Sequence, residues 1–154
     1  MTETSPTHHW KEISATWDGG DTYLAYNKAG GTVRTGRSTP ENPVVGPMEM
    51  LLVGLAGCSA LDVIDILKKK RQTPTGFKIN VRGNQRTDDY PKIYTEFHIE
   101  FLLWGDDLQA VDVERAIQLS IEKYCSVGGT LQKAGPVTSS YRILKTGEAI
   151  EQND

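Results

Sequence analysis

One stretch constrains the fold of this chain more than any other: residues 46–71, which read GPMEMLLVGLAGCSALDVIDILKKKR. When residues 48–67 are wound as a helix they are apolar on nearly every side. A proline at position 47 suits the first turn of a helix, and the basic run at residues 68–71 suits its last turn. A helix that is apolar all round must be buried on several sides. Because carboxylates interrupt it, we predict a central helix covered by sheets rather than a membrane span.

Cys58 lies in the middle of this predicted helix. Asp62 and Asp65 follow it by four and seven residues, so the three side chains share the one polar stripe of the helix. We therefore expect the sulfur to face a crevice or a partner rather than pure core. Two nearby carboxylates oppose thiolate formation, so activation of this thiol would need a lysine or arginine from elsewhere in the fold.

Length and charge narrow the classes of function. A chain of 154 residues is expected to form a single domain, residues 1–154, with residues 1–8 frayed. The net charge of −3 gives no basic field for nucleic acid, and no basic-then-apolar leader opens the chain. We therefore predict a cytoplasmic protein that binds neither nucleic acid nor membrane.

Two cysteines in a cytoplasmic chain do not form a structural disulfide framework, so Cys58 and Cys125 are free, buried, redox-active or metal-bound. A zinc site would need more ligands, and none of the three histidines has ligand-type spacing to either cysteine. The sequence therefore shows no recognisable zinc motif.

The remaining pattern predicts an α+β fold in the order β-β-β-α-β-β-α-α-β. The elements are predicted as strands at 11–17, 22–26 and 32–37, the central helix, strands at 77–82 and 93–103, a helix from about 106–110 to 125, a helical turn at 130–134, and a strand at 137–144. Gly128-Gly129 is predicted to break the chain. The second helix is predicted to bury one face, made of Val113, Ala116, Ile117, Ser120, Ile121 and Tyr124.

The residues alone leave the role of the two cysteines open. They stand 67 residues apart on two predicted helices, which suits a redox pair, but cysteine is also a common small hydrophobic residue of protein cores. Glu49 is open in the same way. It is a candidate catalytic carboxylate, and it also suits the positive end of the helix dipole.

Two motifs resemble the OsmC/Ohr family, which includes osmotically inducible protein C and the organic hydroperoxide resistance proteins. Residues 47–52 and 57–63, PMEMLL and GCSALDV, are similar to its central-helix signature. Residues 124–127, YCSV, followed by Thr130-Leu131, resemble its second cysteine motif. The lysine-rich end of the helix is most similar to the branch typified by the protein YhfA.

This resemblance implies an OsmC-like fold in which two chains intertwine into a homodimer with active sites at the interface. It implies that Cys58 is the peroxidatic thiolate and Cys125 the resolving thiol. The substrate would be an organic hydroperoxide, and an external dithiol would reduce the resulting disulfide. No metal or organic cofactor is implied.

The chain departs from the hydroperoxide-resistance branch at two positions. That branch has a glutamate ten residues before the first cysteine, where this chain has Met48, and Glu49 lies nine before it. Nine residues turn a continuous helix by about 900°, which puts Glu49 opposite Cys58 unless the helix begins later or Glu49 serves the other subunit. The arginine of the first hairpin turn is also absent, with Arg34 and Arg37 as replacements by location only.

We therefore predict a thiol-dependent peroxidase-like protein of the oxidative stress response, which acts through Cys58 and Cys125, with Glu49 as a third candidate catalytic residue. The alternative is a non-enzymatic protein that binds a small apolar ligand at the dimer interface, with passive cysteines. A redox-sensing regulator is a third possibility, although the sequence contains no recognisable DNA-binding element.

Overall fold

The computed structural model describes residues 7–151. The segment predicted to fray is residues 1–8, and residues 1–6 of it lie outside the described part. The described residues form two compact units, one that ends at Met50 and one that begins at Leu51. Along the chain the elements follow the predicted order, and the α+β fold class is confirmed. Their bounds are β1 Ser14–Trp17, β2 Thr22–Tyr26, β3 Thr32–Gly36, α1 Pro47–Lys69, β4 Gly76–Gln85, β5 Tyr94–Trp104, α2 Ala110–Leu119, α3 Ser126–Leu131 and β6 Val137–Leu144.

The first unit is a three-stranded antiparallel meander in the order β1-β2-β3. Strand β1 is shorter than predicted and begins at Ser14 rather than at residue 11. Large apolar side chains on this sheet and just before it are exposed in the single chain: Trp10, Ile13, Trp17, Tyr23, Leu24, Tyr26 and Val33. A sheet of three strands with so little apolar cover needs a further surface to pack against.

Helix α1 is continuous from Pro47 to Lys69, as the apolar run and its ends predicted. By length and composition alone it is apolar enough to cross a membrane, a test that the core helix of a soluble protein also passes. In the single chain only one stripe of the helix is fully buried, formed by Leu55, Ser59, Val63 and Leu67. The expected burial on several sides is therefore not met within one chain: Leu51, Val53 and Leu61 are 43%, 50% and 68% exposed.

The second unit contains a three-stranded sheet in the order β4-β5-β6. Strand β5 lies in the centre, antiparallel to β4 and parallel to β6. One face of β5 supplies the core through Phe97, Ile99, Phe101 and Leu103. Tyr94 and Leu102 on the other face are buried as well, so the strand does not alternate strictly between a buried and an exposed face. Parallel neighbours need a crossover connection, and α2, α3 and the segment between them provide it.

The crossover differs from the prediction at two points: the end of α2, and the start of α3 at Ser126 rather than at residue 130. Helix α2 ends at Leu119 and continues as a π-helical turn, Ser120–Tyr124, in which the Cys125 N–H donates to the Ser120 carbonyl at 2.8 Å. This wider turn shifts the helical phase, so Tyr124 is exposed rather than buried and Cys125 points inward instead. Gly128-Gly129 does not break the chain, because both glycines lie inside α3.

Candidate functional site

The structure brings the two cysteines together. Cys58 lies on α1 and is half-buried, whereas Cys125 lies between the π-helical turn and α3 and is 5% exposed. Both are free thiols, and their sulfur atoms are within 4.8 Å of each other. A disulfide bond is about 2.05 Å long, so small side-chain movements separate this arrangement from a covalent link.

Cys125 is held by hydrogen bonds to two elements, α3 and α1. As the N-cap of α3, its sulfur accepts a hydrogen bond of 3.2 Å from the backbone N–H of Gly128. The Ser59 hydroxyl, fully buried on α1, lies 3.4 Å from the same sulfur. A side chain at position 128 would place its Cβ only 3.3 Å from this sulfur, so glycine lets the backbone approach. The thiol is thereby fixed in position.

The surroundings of Cys125 favour its neutral form. Burial raises the pKa of this thiol above its ordinary value, and this is the largest influence. The hydrogen bonds from Ser59 and Gly128 act in the opposite direction and lower the pKa, while the neighbouring Cys58 raises it. Since burial prevails, Cys125 is predominantly a protonated thiol near neutral pH.

Asp62 completes the cluster. One of its carboxylate oxygens lies within 4.8 Å of both sulfur atoms. The buried Ser120 hydroxyl donates to Asp62 Oδ2 at 2.9 Å, which orients the carboxylate from the crossover side. Asp65, the third member of the predicted polar stripe, is exposed. The three residues of the predicted polar stripe therefore have different surroundings. Cys58 and Asp62 face the crossover, whereas Asp65 faces solvent.

Glu49 lies in the first turn of α1 and is exposed. Because the helix begins at Pro47, the option that it begins after Glu49 is wrong. On this continuous helix, nine residues turn the chain by about 900°, so Glu49 is on the opposite side from Cys58. Its participation stays a prediction that depends on a second subunit.

The two candidate arginines form ion pairs within the first unit. Arg34, on β3, contacts Asp18 Oδ2 at 2.6 Å, and Arg37 lies 3.5 Å from Asp21 Oδ1. Hydrogen bonds from Thr22 and from the Gly20 backbone, together with Arg34, hold the pKa of Asp18 below its ordinary value. The hairpin turn that lacks the expected arginine thus carries a carboxylate that binds one from β3.

Sequence reasoning missed three residues of this site: Ser59, Ser120 and Gly128. Two signals were available. Ser59 occupies the same helical stripe as Leu55 and Val63, and Ser120 falls on the predicted buried face of the second helix. A serine at a buried helical position needs a hydrogen-bond partner, which here is a thiol or a carboxylate. Nothing in the pattern indicated the role of Gly128.

Comparison with known proteins shows which proteins the chain as a whole resembles. The family model described as OsmC-like protein matches residues 40–140. Protein YhfA of Escherichia coli K12 is 37% identical over 129 residues, which cover 83% of this chain and 94% of that protein. A hypothetical protein from Aquifex aeolicus of known crystal structure is 33% identical with a TM-score of 0.79, over 90% of this chain and 98% of that one.

A more distant structure shares the fold alone. The organic hydroperoxide resistance protein OhrB of Bacillus subtilis superposes with a TM-score of 0.57 at 12% identity, covering 85% of this chain and 96% of that one.

Proposed function

Since the chain belongs to the OsmC-like protein family, we propose that it is a thiol-dependent peroxidase that reduces organic hydroperoxides through Cys58 and Cys125. The observation that carries the proposal is the distance between two free thiols, whose sulfur atoms lie within 4.8 Å on separate elements. The fold it shares with a protein named for organic hydroperoxide resistance supports the choice of substrate class.

The reaction needs only the two thiols, the peroxide and a reductant. The Cys58 thiolate attacks the outer oxygen of the O–O bond, so a sulfur–oxygen bond forms and the alcohol leaves after taking up a proton. The Cys125 sulfur then attacks the Cys58 sulfenic acid, which forms the disulfide and releases water. An external dithiol reduces the disulfide by thiol–disulfide exchange and restores both thiols.

The different burial of the two sulfur atoms supports this assignment of roles. Cys58 is half-buried, so a peroxide can reach it from solvent, whereas Cys125 is covered. Burial raises the pKa of Cys125, which makes it a poor first nucleophile at neutral pH. Its fixed position beside Cys58 instead suits an intramolecular attack, where proximity compensates for a small thiolate fraction.

We further propose that the working form is a homodimer. The apolar flank of α1 and the exposed apolar side chains around the first sheet offer large apolar surfaces of the kind that subunit contacts cover. In such a dimer, an arginine of one chain can lie beside Cys58 of the other and supply the activating cation that the turn at residues 18–21 lacks. Glu49 of one chain can likewise reach the site of the other.

Single cysteine variants and intact-mass measurement test the proposal. With one equivalent of an organic hydroperoxide, the wild-type protein should lose both titratable thiols. Cys58→Ser should take up no oxygen. Cys125→Ser should gain one oxygen, about 16 Da, and in excess peroxide a second, about 32 Da in all, because its sulfenic acid has no partner.

Two outcomes would contradict the proposal. If Cys58→Ser gains oxygen at Cys125 while Cys125→Ser stays unmodified, the roles are reversed. If both wild-type thiols survive excess hydroperoxide, the peroxidase function is wrong, and the protein is better described as one that binds a small apolar ligand.

A further inference from the structure

The cluster at the two thiols has the composition of a metal site. The side chains of Cys58, Asp62 and Cys125 each offer one ligand atom, and these three atoms lie within 4.8 Å of one another. Within residues 7–151 this is the one group of three or more histidine, cysteine or acidic side chains so placed. Asp62 supplies the third ligand, which the cysteine and histidine spacing alone did not reveal.

The distances suit a tetrahedral ion. With zinc–sulfur bonds of about 2.3 Å and zinc–oxygen bonds of about 2.1 Å, tetrahedral ligand atoms stand roughly 3.6–3.8 Å apart. The three atoms therefore need to close by no more than about 1 Å, which side-chain torsions allow. Cys58 and Asp62 are only half-buried, so water can reach a fourth position.

The surrounding groups orient the ligands as outer-shell groups do in metal sites. The Gly128 N–H donates to Cys125 Sγ, and the Ser120 hydroxyl donates to Asp62 Oδ2. The Ser59 hydroxyl lies against Cys125 Sγ. Ser59 and Ser120 are fully buried, so these contacts belong to the folded core rather than to mobile surface side chains. Such partners fix ligand orientation and strengthen metal binding.

We propose that the reduced protein binds one thiophilic divalent cation, such as Zn²⁺, through Cys58, Asp62 and Cys125. Two thiolates and one carboxylate form a donor set that prefers zinc to magnesium or calcium. Binding displaces two thiol protons to solvent and involves no oxidation. The cation and the disulfide exclude each other, because the cation binds both sulfur atoms as thiolates and the disulfide leaves no thiolate.

This exclusion gives the cation a regulatory effect that rests on the proposed peroxidase function, whereas the binding itself does not. A bound cation shields both sulfur atoms from peroxide. Loss of the cation would switch the site from a resting metal form to a reactive dithiol form.

The test uses reduced full-length protein, Zn²⁺ alone and competition against a chromophoric chelator. The expected result is one Zn²⁺ per chain for the wild type. Cys58→Ser and Cys125→Ser should each lose this binding, and Asp62→Asn should weaken it by at least about 10-fold. Asp65→Asn is the matched control, since it makes the same charge change one turn away at an exposed position, and it should bind as the wild type does. Co²⁺ in place of Zn²⁺ should give the intense visible absorption of tetrahedral thiolate coordination in the same proteins.

Several results would overturn the proposal. It fails if the wild type binds no Zn²⁺, or if binding persists in both cysteine variants, as it would if His8 and His9 were the ligands. It also fails if Asp62→Asn binds with wild-type affinity. Wild-type protein with both thiols blocked by a small methylating reagent must not bind, and this holds even if a serine variant folds poorly. Because Zn²⁺ is measured without peroxide, a protein can bind the cation and yet form no disulfide, so the two proposals fail separately.

Discussion

Replacing Ser59 with alanine tests whether its hydroxyl assists the proposed attack of Cys125 on the Cys58 sulfenic acid. Ser59 is fully buried, and its hydroxyl lies 3.4 Å from the sulfur of Cys125. This contact lowers the pKa of Cys125, whereas burial raises it. Ser59→Ala should therefore raise the pKa of the Cys125 thiol further. The variant keeps the Gly128 N–H as a second donor, and the fold should survive.

The expected effect is small but measurable. A hydrogen bond to a charged group contributes about 1 kcal/mol more than one to a neutral group, so losing it lowers the thiolate population roughly fivefold. A more basic thiolate is also a stronger nucleophile, which cancels about half of the effect on a logarithmic scale. Disulfide closure should therefore slow about two- to threefold. The lost hydrogen bond should also lower the free energy of unfolding by about 0.5–1.5 kcal/mol, which lowers Tm by roughly 1–6 °C for a chain of this size.

Rapid quenching followed by intact-mass measurement separates the two steps. The sulfenic acid carries one added oxygen, whereas the disulfide has lost two hydrogens. In Ser59→Ala the first species should form at the wild-type rate and disappear more slowly. The matched control is Ser126→Ala, which removes an exposed hydroxyl next to Cys125 in sequence and should change neither rate. If closure keeps its wild-type rate in Ser59→Ala, or if both steps slow equally, the hydroxyl does not act through Cys125.

Two further predictions follow from burial and exposure. Because burial raises the pKa of Cys125 in the folded state, the stability linked to this thiol is present below its unfolded pKa of about 8.5 and is lost as the pH rises through the higher folded value. The free energy of unfolding, measured in denaturant, should fall more steeply above about pH 8.5 in the wild type than in Cys125→Ser, and equal slopes would contradict this reasoning. Light scattering should give about twice the chain mass of 17.0 kDa. Leu61→Glu should shift the protein toward the monomer. Val111→Glu is the control, because Val111 is 71% exposed and Leu61 68%, and it should not change the mass. A wild-type monomer at micromolar concentration would refute the dimer.

The order of elements could be predicted because each rests on a local pattern. The apolar run of α1, the alternation in β5 and the turn residues between strands each act within one element, so neither distant contacts nor a partner chain alter them. The bounds of β2 and β6 agree with the prediction for the same reason.

The part of the site formed by the crossover could not be predicted in the same way. The π-helical turn at Ser120–Tyr124 is wider than an α-helical turn and therefore interrupts the regular helical period. Its sequence, SIEKY, contains no proline or glycine from which the irregularity could have been predicted. This turn rotates Cys125 inward and Tyr124 outward, which a strict helical period assigns the other way round. The prediction that Gly128 breaks the chain was wrong, because both Gly128 and Gly129 lie inside α3. Glycine usually ends a helix, but here it sits inside a short one because a side chain would crowd the Cys125 sulfur.

The π-helical turn also explains why the two thiols differ. A regular continuation of α2 would have carried the chain onward past Leu119 with Cys125 still in the helix and its backbone groups paired internally. Instead the turn ends at Cys125, whose extended backbone frees its side chain to cap α3 and to meet the α1 stripe at Ser59. The same turn presents Ser120 to Asp62. The π-helical turn thus brings a buried, neutral thiol and an oriented carboxylate close to the more exposed Cys58. The proposed two-step reaction requires this difference between the thiols, because one sulfur must be accessible to the peroxide and the other must react only with the sulfenic acid that results.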